Sequence, residues 1–350
     1  MNYFPKNEYH ISPDGSMDFT TLSDALNFLN QGFSVSDAEP ELSAHPDYRL
    51  EGENLSPATL YLHKGIYRER IAITRPGLTI IGDSPEHTII TGGLYGKMPM
   101  EDIGKRGTFR TYSCLIAAHD ITVKNVTFEN TSGKGTDVGQ ALALYADGDR
   151  LVFENCHFLG NQDTLFTAPL PPKEIEPGGF TGPGQSLPRV SGRHYYKNCY
   201  LEGDIDFVFG GATAYFENCE LFSKNTEKTV NSYVTAASTP KDQNYGYVMK
   251  NCRFTSCCPP HSAYLGRPWR EYAKTVLIDC WIGEHIFPEG WHDWNKPEAQ
   301  STVFYAEYNS TGPSSDIKKR PEWVKSLTSS EAAFYTKSMV LKGHDGWNPV

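Results

Sequence analysis

The sequence predicts an all-β chain wound into a parallel β-helix, a solenoid of stacked short strands. Three observations carry that expectation. A strand-like heptad with an Asn/Asp-then-Cys core recurs along the middle of the chain, turn residues and aromatics are abundant, and helix-like periodicity is confined to the two ends. Among 350 residues, 31 Gly and 23 Pro stand beside 20 Tyr and 18 Phe, which suits many strands joined by turns.

The recurring segments are TVKNVTF (122–128), VFENCHF (152–158), YYKNCYL (195–201), YFENCEL (215–221), VMKNCRF (248–254) and VLIDCWI (276–282). Their Asn/Asp positions lie 20 to 43 residues apart, as expected for coils that carry loops of different size. Stacking places the same position on itself from coil to coil. Asn125, Asn155, Asn198, Asn218, Asn251 and Asp279 then form a ladder at a turn, where their side chains can bond neighbouring backbone. Cys156, Cys199, Cys219, Cys252 and Cys280 point inward as small buried hydrophobes and need no disulfides. Cys114, Cys257 and Cys258 have no place in the pattern. Earlier coils are visible in TLYLHKGIYRERIAI (59–73) and LTIIGDSPEHTIITG (78–92).

At the N-terminal end, Phe19, Leu22, Leu26 and Leu29 fall on one helical stripe, predicting a cap helix over 19–30. Near the other end, Thr328 and Glu331 form a capping-box pattern, predicting a helical tail over 320–350. Residues 169–193 read as a long Pro/Gly-rich loop directly after QDTLFTA, hence at the rim of any site there. The expected organisation is one domain over 1–350.

A net charge of −10 with no long basic run argues against a nucleic-acid partner. It would mildly repel an acidic polysaccharide unless the cleft itself is basic. No apolar stretch approaches the ~20 residues of a membrane span. The eleven histidines show no paired metal spacing, and no G-x-S-x-G serine elbow is present. No metal and no cofactor are expected.

Five polar residues stand at similar offsets from the repeats: Gln140, Gln162, Asp163, Asp206 and Arg267. Taken singly, each has a bland reading. Asp163 and Asp206 could be turn residues, Asp206 could be a structural partner of Arg267, and Gln140 could be a solvated strand residue.

The segments around them are more specific. GIYRE (65–69), QALAL (140–144), QDTLF (162–166), DFVFG (206–210) and LGRPW (265–269) resemble, in order, five signature segments of the pectin methylesterase family. The similarity runs from about Ile11 to about Asn309. It implies a right-handed parallel β-helix that hydrolyses methyl esters of galacturonate units in pectin or its oligomers. It implies Asp206 as nucleophile, Asp163 as general acid and then base, Gln140 and Gln162 as oxyanion donors, and Arg267 as the orienting cation. Phe166, Phe209 and Trp269 match aromatic positions lining the family's sugar cleft.

These residue types suit the reaction. An ester needs a nucleophile, a proton for the departing alcohol, and donors for the tetrahedral oxyanion. A guanidinium forked onto Asp206 would aim it and lower its pKa, while the unpaired Asp163 would stay protonated. Rival readings are a polygalacturonase-type hydrolase, a pectate lyase that uses Ca²⁺, and a non-catalytic carbohydrate-binding solenoid. None accounts for the paired glutamines together with the two acids and the arginine. The expected partner is methylated pectin or an oligogalacturonide, met by a monomer with no membrane or nucleic-acid contact. The absence of a visible leader or inhibitor-like segment, with unbridged thiols, points to a bacterial-type cytoplasmic enzyme.

Overall fold

The structure is a computed structural model that describes residues 7–30, 56–101 and 104–350. The expected single domain over 1–350 therefore includes residues 1–6, 31–55 and 102–103, which lie outside the described residues.

Among the described residues, the strands form three all-parallel sheets of eleven, eight and seven strands, plus one small antiparallel pair, Pro99–Met100 with Gly104–Lys105. The internal coils contribute one strand to each large sheet in turn, as in Leu151–Glu154, His157–Leu159 and Leu165–Thr167. This is the parallel β-helix that the repeats predict. Its backbone polar groups are paired coil to coil, so short strands suffice.

The Asn/Asp ladder sits at the corner between the long sheet and the eight-stranded sheet. All six residues adopt left-handed backbone, with φ between 53° and 58°, and Asn309 extends the series at 51°. Asn and Asp tolerate that conformation better than other residues with a side chain, which explains their recurrence. The rungs also bond to one another: Asn155 Nδ2 donates to Asn125 Oδ1 at 2.8 Å and Asn309 Nδ2 to Asp279 Oδ1 at 2.6 Å. The following cysteines are buried, reduced, and turned onto carbonyls of the preceding coil, as Cys219 Sγ is onto the Tyr196 oxygen at 3.5 Å. Val126 takes the same inward place in the first repeat. Cys114 is buried in the strand Cys114–Ile116, and Cys257 is exposed beside Cys258. An aromatic column of Phe153, Tyr196 and Phe216 runs through the core, with stacked centroids 4.9 and 4.5 Å apart.

The N-terminal helix spans Leu22–Leu29, narrower than 19–30. Thr21 caps it, and the Glu69 carboxylate accepts from the backbone N–H groups of Leu22 and Ser23, satisfying donors that have no partner within the helix. Phe19 lies before the helix, bridged to Ile11. In the tail, Thr328 and Glu331 form the capping box of Ser329–Ala332, and a second short helix spans Lys337–Leu341. Val340 and Leu341 pack on Tyr195, Tyr215 and Val248, so the tail runs back along the outer face of the long sheet. Near the last coils, Glu307 and Arg320 form an ion pair with side chains only 3% and 1% exposed, joined by a bond from Trp291 Nε1.

The left-handed corner carries a stability prediction. Asn218→Ala should lose about 1–2 kcal/mol in urea unfolding, while Asn218→Gly should lose less, because glycine adopts that backbone without steric conflict. Equal losses would show that the conformation is not what selects Asn there.

Candidate active site

The seven-stranded sheet carries the candidate residues on its outer face. Its strands include Leu144–Ala146, Leu165–Thr167, Ile205–Gly210, Ser232–Ala237 and Ala263–Gly266. Register does the assembling. Leu165 pairs with Val208 and Phe166 with Phe209, so Asp163 stands one coil from Asp206 at the same height, roughly 4.8 Å away along the stack. The Asp163 N–H donates to the Ile205 oxygen at 3.0 Å. Likewise Ala141 N–H donates to the Gln162 oxygen at 3.0 Å, which stacks Gln140 beside Gln162. Gly135 leaves room for this arrangement, since a Cβ there would lie 2.5 Å from Gln162 Cβ.

Both acids have left-handed backbone, φ 64° at Asp163 and 53° at Asp206. Asp206 also sits in a register shift between Ile205 and Val208, a bulge that re-aims its side chain. Such backbone is retained where the surrounding structure over-determines it.

Arg267 reaches back across one coil and forks onto Asp206. Its Nε lies 2.8 Å from Oδ1 and its Nη2 2.7 Å from Oδ2. The guanidinium is held between two aromatic faces, 3.9 Å from the Tyr233 centroid and 3.6 Å from that of Trp294. Trp294 itself has φ 60°, an uncommon conformation for a bulky residue. Neither Tyr233 nor Trp294 carried a sequence signal, because neither lies in a signature segment.

Asp163 is 8% exposed, and among the described residues no group donates a hydrogen bond to its carboxyl. Burial pushes its pKa well above the usual carboxylate range, and the charges of Asp206 and Asp204 push the same way against Arg267. Asp206 corrects the sequence-based expectation. Its pKa is raised rather than lowered, because burial outweighs the opposing attraction and hydrogen bonds of Arg267 and the pull of Lys296. The separation between the two acids keeps its expected sense, since only Asp206 has the guanidinium bonded to it.

The two acids, both glutamines, Arg267, Phe209 and Trp269 line one cavity of about 940 Å³. Phe166 does not reach it. Its side chain is fully buried, packed on Phe109 at 4.9 Å and Phe209 at 4.9 Å between ring centroids. The outward face of this sheet is covered by a second apolar layer containing Phe109, Tyr145, Phe166 and Phe180, so Phe166 supports the cleft floor instead of meeting a ligand. Alternation in QDTLF points that ring outward correctly, but a covering segment is invisible to a strand pattern. Residues 96–97 and 105–110 were likewise missed. They bring Lys97, Lys105, Arg106 and Arg110 to the cleft, which makes it locally basic in a chain of net charge −10. The described residues hold no cluster of three or more metal-ligating side chains.

The pectinesterase family model matches residues 49–170 and 179–344. The chain belongs to the pectinesterase family. A probable pectinesterase/pectinesterase inhibitor 23 from Arabidopsis thaliana is 33% identical over 351 residues, covering 97% of this chain and 53% of its own. The chain thus spans about half the length of several curated relatives it matches. A pectinesterase of Petunia integrifolia is 29% identical, over 96% of this chain and 80% of its own. Among solved structures, carrot pectin methylesterase superposes with a TM-score of 0.74 at 26% identity, over 99% of this chain and 96% of that one. A pectin methylesterase in complex with a hexasaccharide superposes at 0.73 with 28% identity, over 99% of both chains. The solenoid is therefore the right-handed parallel β-helix of pectinesterases.

The electrostatics predict a spectroscopic signature. At neutral pH a protonated-carboxyl infrared band should persist in the folded protein and vanish in Asp163→Asn. Its absence from the unsubstituted protein would mean that Asp163 is ionised.

Proposed function

We propose that the protein hydrolyses the methyl esters of galacturonate units in pectin or its oligomers, releasing methanol. One observation carries the reading: a carboxylate forked onto a guanidinium stands one coil from a buried, unbonded carboxyl in a basic cleft. The two acids differ in the way that nucleophile and proton donor must differ.

In this reading, an Asp206 oxygen attacks the ester carbonyl carbon. N–H groups of Gln140 and Gln162 receive the negative charge that develops on the carbonyl oxygen. The carbon–methoxy bond breaks as Asp163 passes its proton to the leaving oxygen, and methanol departs. The galacturonyl group is then held as an anhydride on Asp206. Asp163, now ionised, takes a proton from water as that water attacks the same carbonyl. Asp206 leaves as a carboxylate paired again with Arg267, and Asp163 is protonated for the next cycle. The neutral glutamines suit this cycle, because another cation at the site would hold Asp163 ionised. Lys97, Lys105, Arg106 and Arg110 give the cleft a local attraction for the free carboxylates of partly de-esterified pectin, against the overall negative charge of the chain.

Asp206→Ala should abolish methanol release with the fold intact by circular dichroism. Gln162→Ala should lower kcat by about 10²–10³-fold. Near-normal turnover in Asp206→Ala would reject the nucleophile.

The pH profile follows from the directions of the two shifts. Activity requires Asp206 ionised and Asp163 protonated. It should rise as pH passes upward through the Asp206 pKa and fall as pH passes through that of Asp163. Both limbs of kcat/KM should lie above the ordinary carboxylate value of about 4, with the falling limb the further displaced. A falling limb in the ordinary carboxylate range would contradict the role of Asp163.

A further inference from the structure

The family match is interrupted between residues 170 and 179, and the unmatched stretch 171–178 belongs to the loop that follows the strand Leu165–Thr167. Ile175, Glu176, Pro177 and Gly178 from this stretch line the cavity beside Phe180 and Thr181.

The loop is built as a fixed strap. The Arg189 guanidinium donates to the backbone oxygens of Pro171, Gly184, Leu187 and Gln185 at 2.6–3.2 Å, tying both limbs together. The Glu174 carboxylate accepts from Gly178 N–H at 3.0 Å and closes the tip. Phe180 is buried edge-on against Phe109 and Trp269, with centroids 5.9 and 6.2 Å away.

The strap is anchored at two points. At one, Gly182 lies so close to Phe109 and Arg110 that a Cβ there would be 3.0 Å from the Phe109 oxygen. At the other, Arg270 Nη2 donates to the Lys173 oxygen at 3.1 Å. Phe109 and Arg110 precede the strand Cys114–Ile116, and Arg270 follows the strand Ala263–Gly266, five coil steps along the same sheet. The two segments nevertheless meet at the cleft, where the Phe109 and Trp269 rings stack with centroids 6.5 Å apart and Phe180 packs on both. The strap lines the cavity together with Gly96, Lys97, residues 105–110, Arg267, Trp269 and Arg270. The strap therefore narrows this cleft. Its volume of about 940 Å³ falls at the top of the ~300–1,000 Å³ range of pockets that hold one compact ligand.

We infer that the 171–178 stretch, which the family match skips, narrows this cleft so that it selects short methylated oligogalacturonides or chain ends over the interior of a long polymer. The inference rests on the ester-hydrolase reading above and deepens it. A polymer interior must leave a cleft at two points, whereas an oligomer or a chain end needs only one. Ile175, 69% exposed at the wall, offers an apolar surface where a neighbouring ester group would lie, and Glu176 on the same wall disfavours a free carboxylate there.

The test compares kcat/KM per methyl ester on methylated trigalacturonate and on highly methylated pectin. The intact protein should favour the trimer by at least about tenfold, and equal or greater efficiency on the polymer would overturn the inference. Deleting residues 171–178 removes the stretch that the family match skips and should raise the polymer-to-trimer ratio about tenfold. An unchanged ratio in the folded variant would also overturn it. Should the deletion fail to fold, Arg189→Ala loosens the strap and should move the ratio the same way by at least about threefold, and no movement counts against the wall. Methanol from neither substrate would instead reject the ester-hydrolase reading. Quenching of tryptophan fluorescence by trimer but not by polymer would then still support the strap, and equal quenching would not.

Discussion

Parallel pairing in strict register is the constraint on which the rest depends. Because side chains alternate along a strand, a slip of one residue would exchange the inward Leu165 and Val208 for the outward Phe166 and Phe209. The core forbids that exchange on every coil at once. The left-handed Asn/Asp corners from Asn125 to Asn309 and the inward cysteines from Cys156 to Cys280 lock the same register from one side. Asp163 and Asp206 therefore meet although a long loop separates them in sequence, and the chemistry inherits its precision from the ladder rather than from the loops.

Burial then acts on both acids in the same direction, and the protein separates them by giving a partner to only one. Arg267 is itself immobilised between Tyr233 and Trp294, so its fork arrives at Asp206 already oriented. A planar cation between two rings loses little further freedom on binding a carboxylate. Asp163, without such a bond, has desolvation opposed only by the charge of Arg267. The raised pKa of Asp206 refines the simple picture of an arginine-lowered nucleophile: in a dry site the guanidinium limits an upward shift rather than producing a downward one.

Much of this was legible in the chain. The coil repeat was visible because Asn125 to Asp279 satisfy one local backbone demand and Cys156 to Cys280 one packing demand, and both leave a residue-type trace. Gln140, Gln162, Asp163, Asp206, Phe209, Arg267 and Trp269 stood in recognisable segments and share one cavity. What was not legible depends on contacts between segments distant in sequence. Phe166 faces outward as alternation requires, yet Phe109 covers it. Trp294 and Tyr233 join the candidate site only through their distance to Arg267. The strap could be placed at the rim from its position after QDTLFTA, but its stiffness comes from carbonyls gathered by Arg189, which no local pattern announces.

The claim that the ladder delivers one acid as nucleophile and the other as proton carrier can be tested by intercepting the covalent stage. Hydroxylamine added during turnover of a methylated oligogalacturonide attacks an enzyme-bound anhydride at either carbonyl, giving a galacturonyl hydroxamate with the free side chain or a hydroxamate on the attacking side chain, which peptide mass mapping locates. The account predicts the hydroxamate on Asp206, dependent on substrate, with Asp163 unmodified. A hydroxamate on Asp163, or turnover that yields no hydroxamate on Asp206 and none on the galacturonyl product above the enzyme-free level at any hydroxylamine concentration, would contradict it.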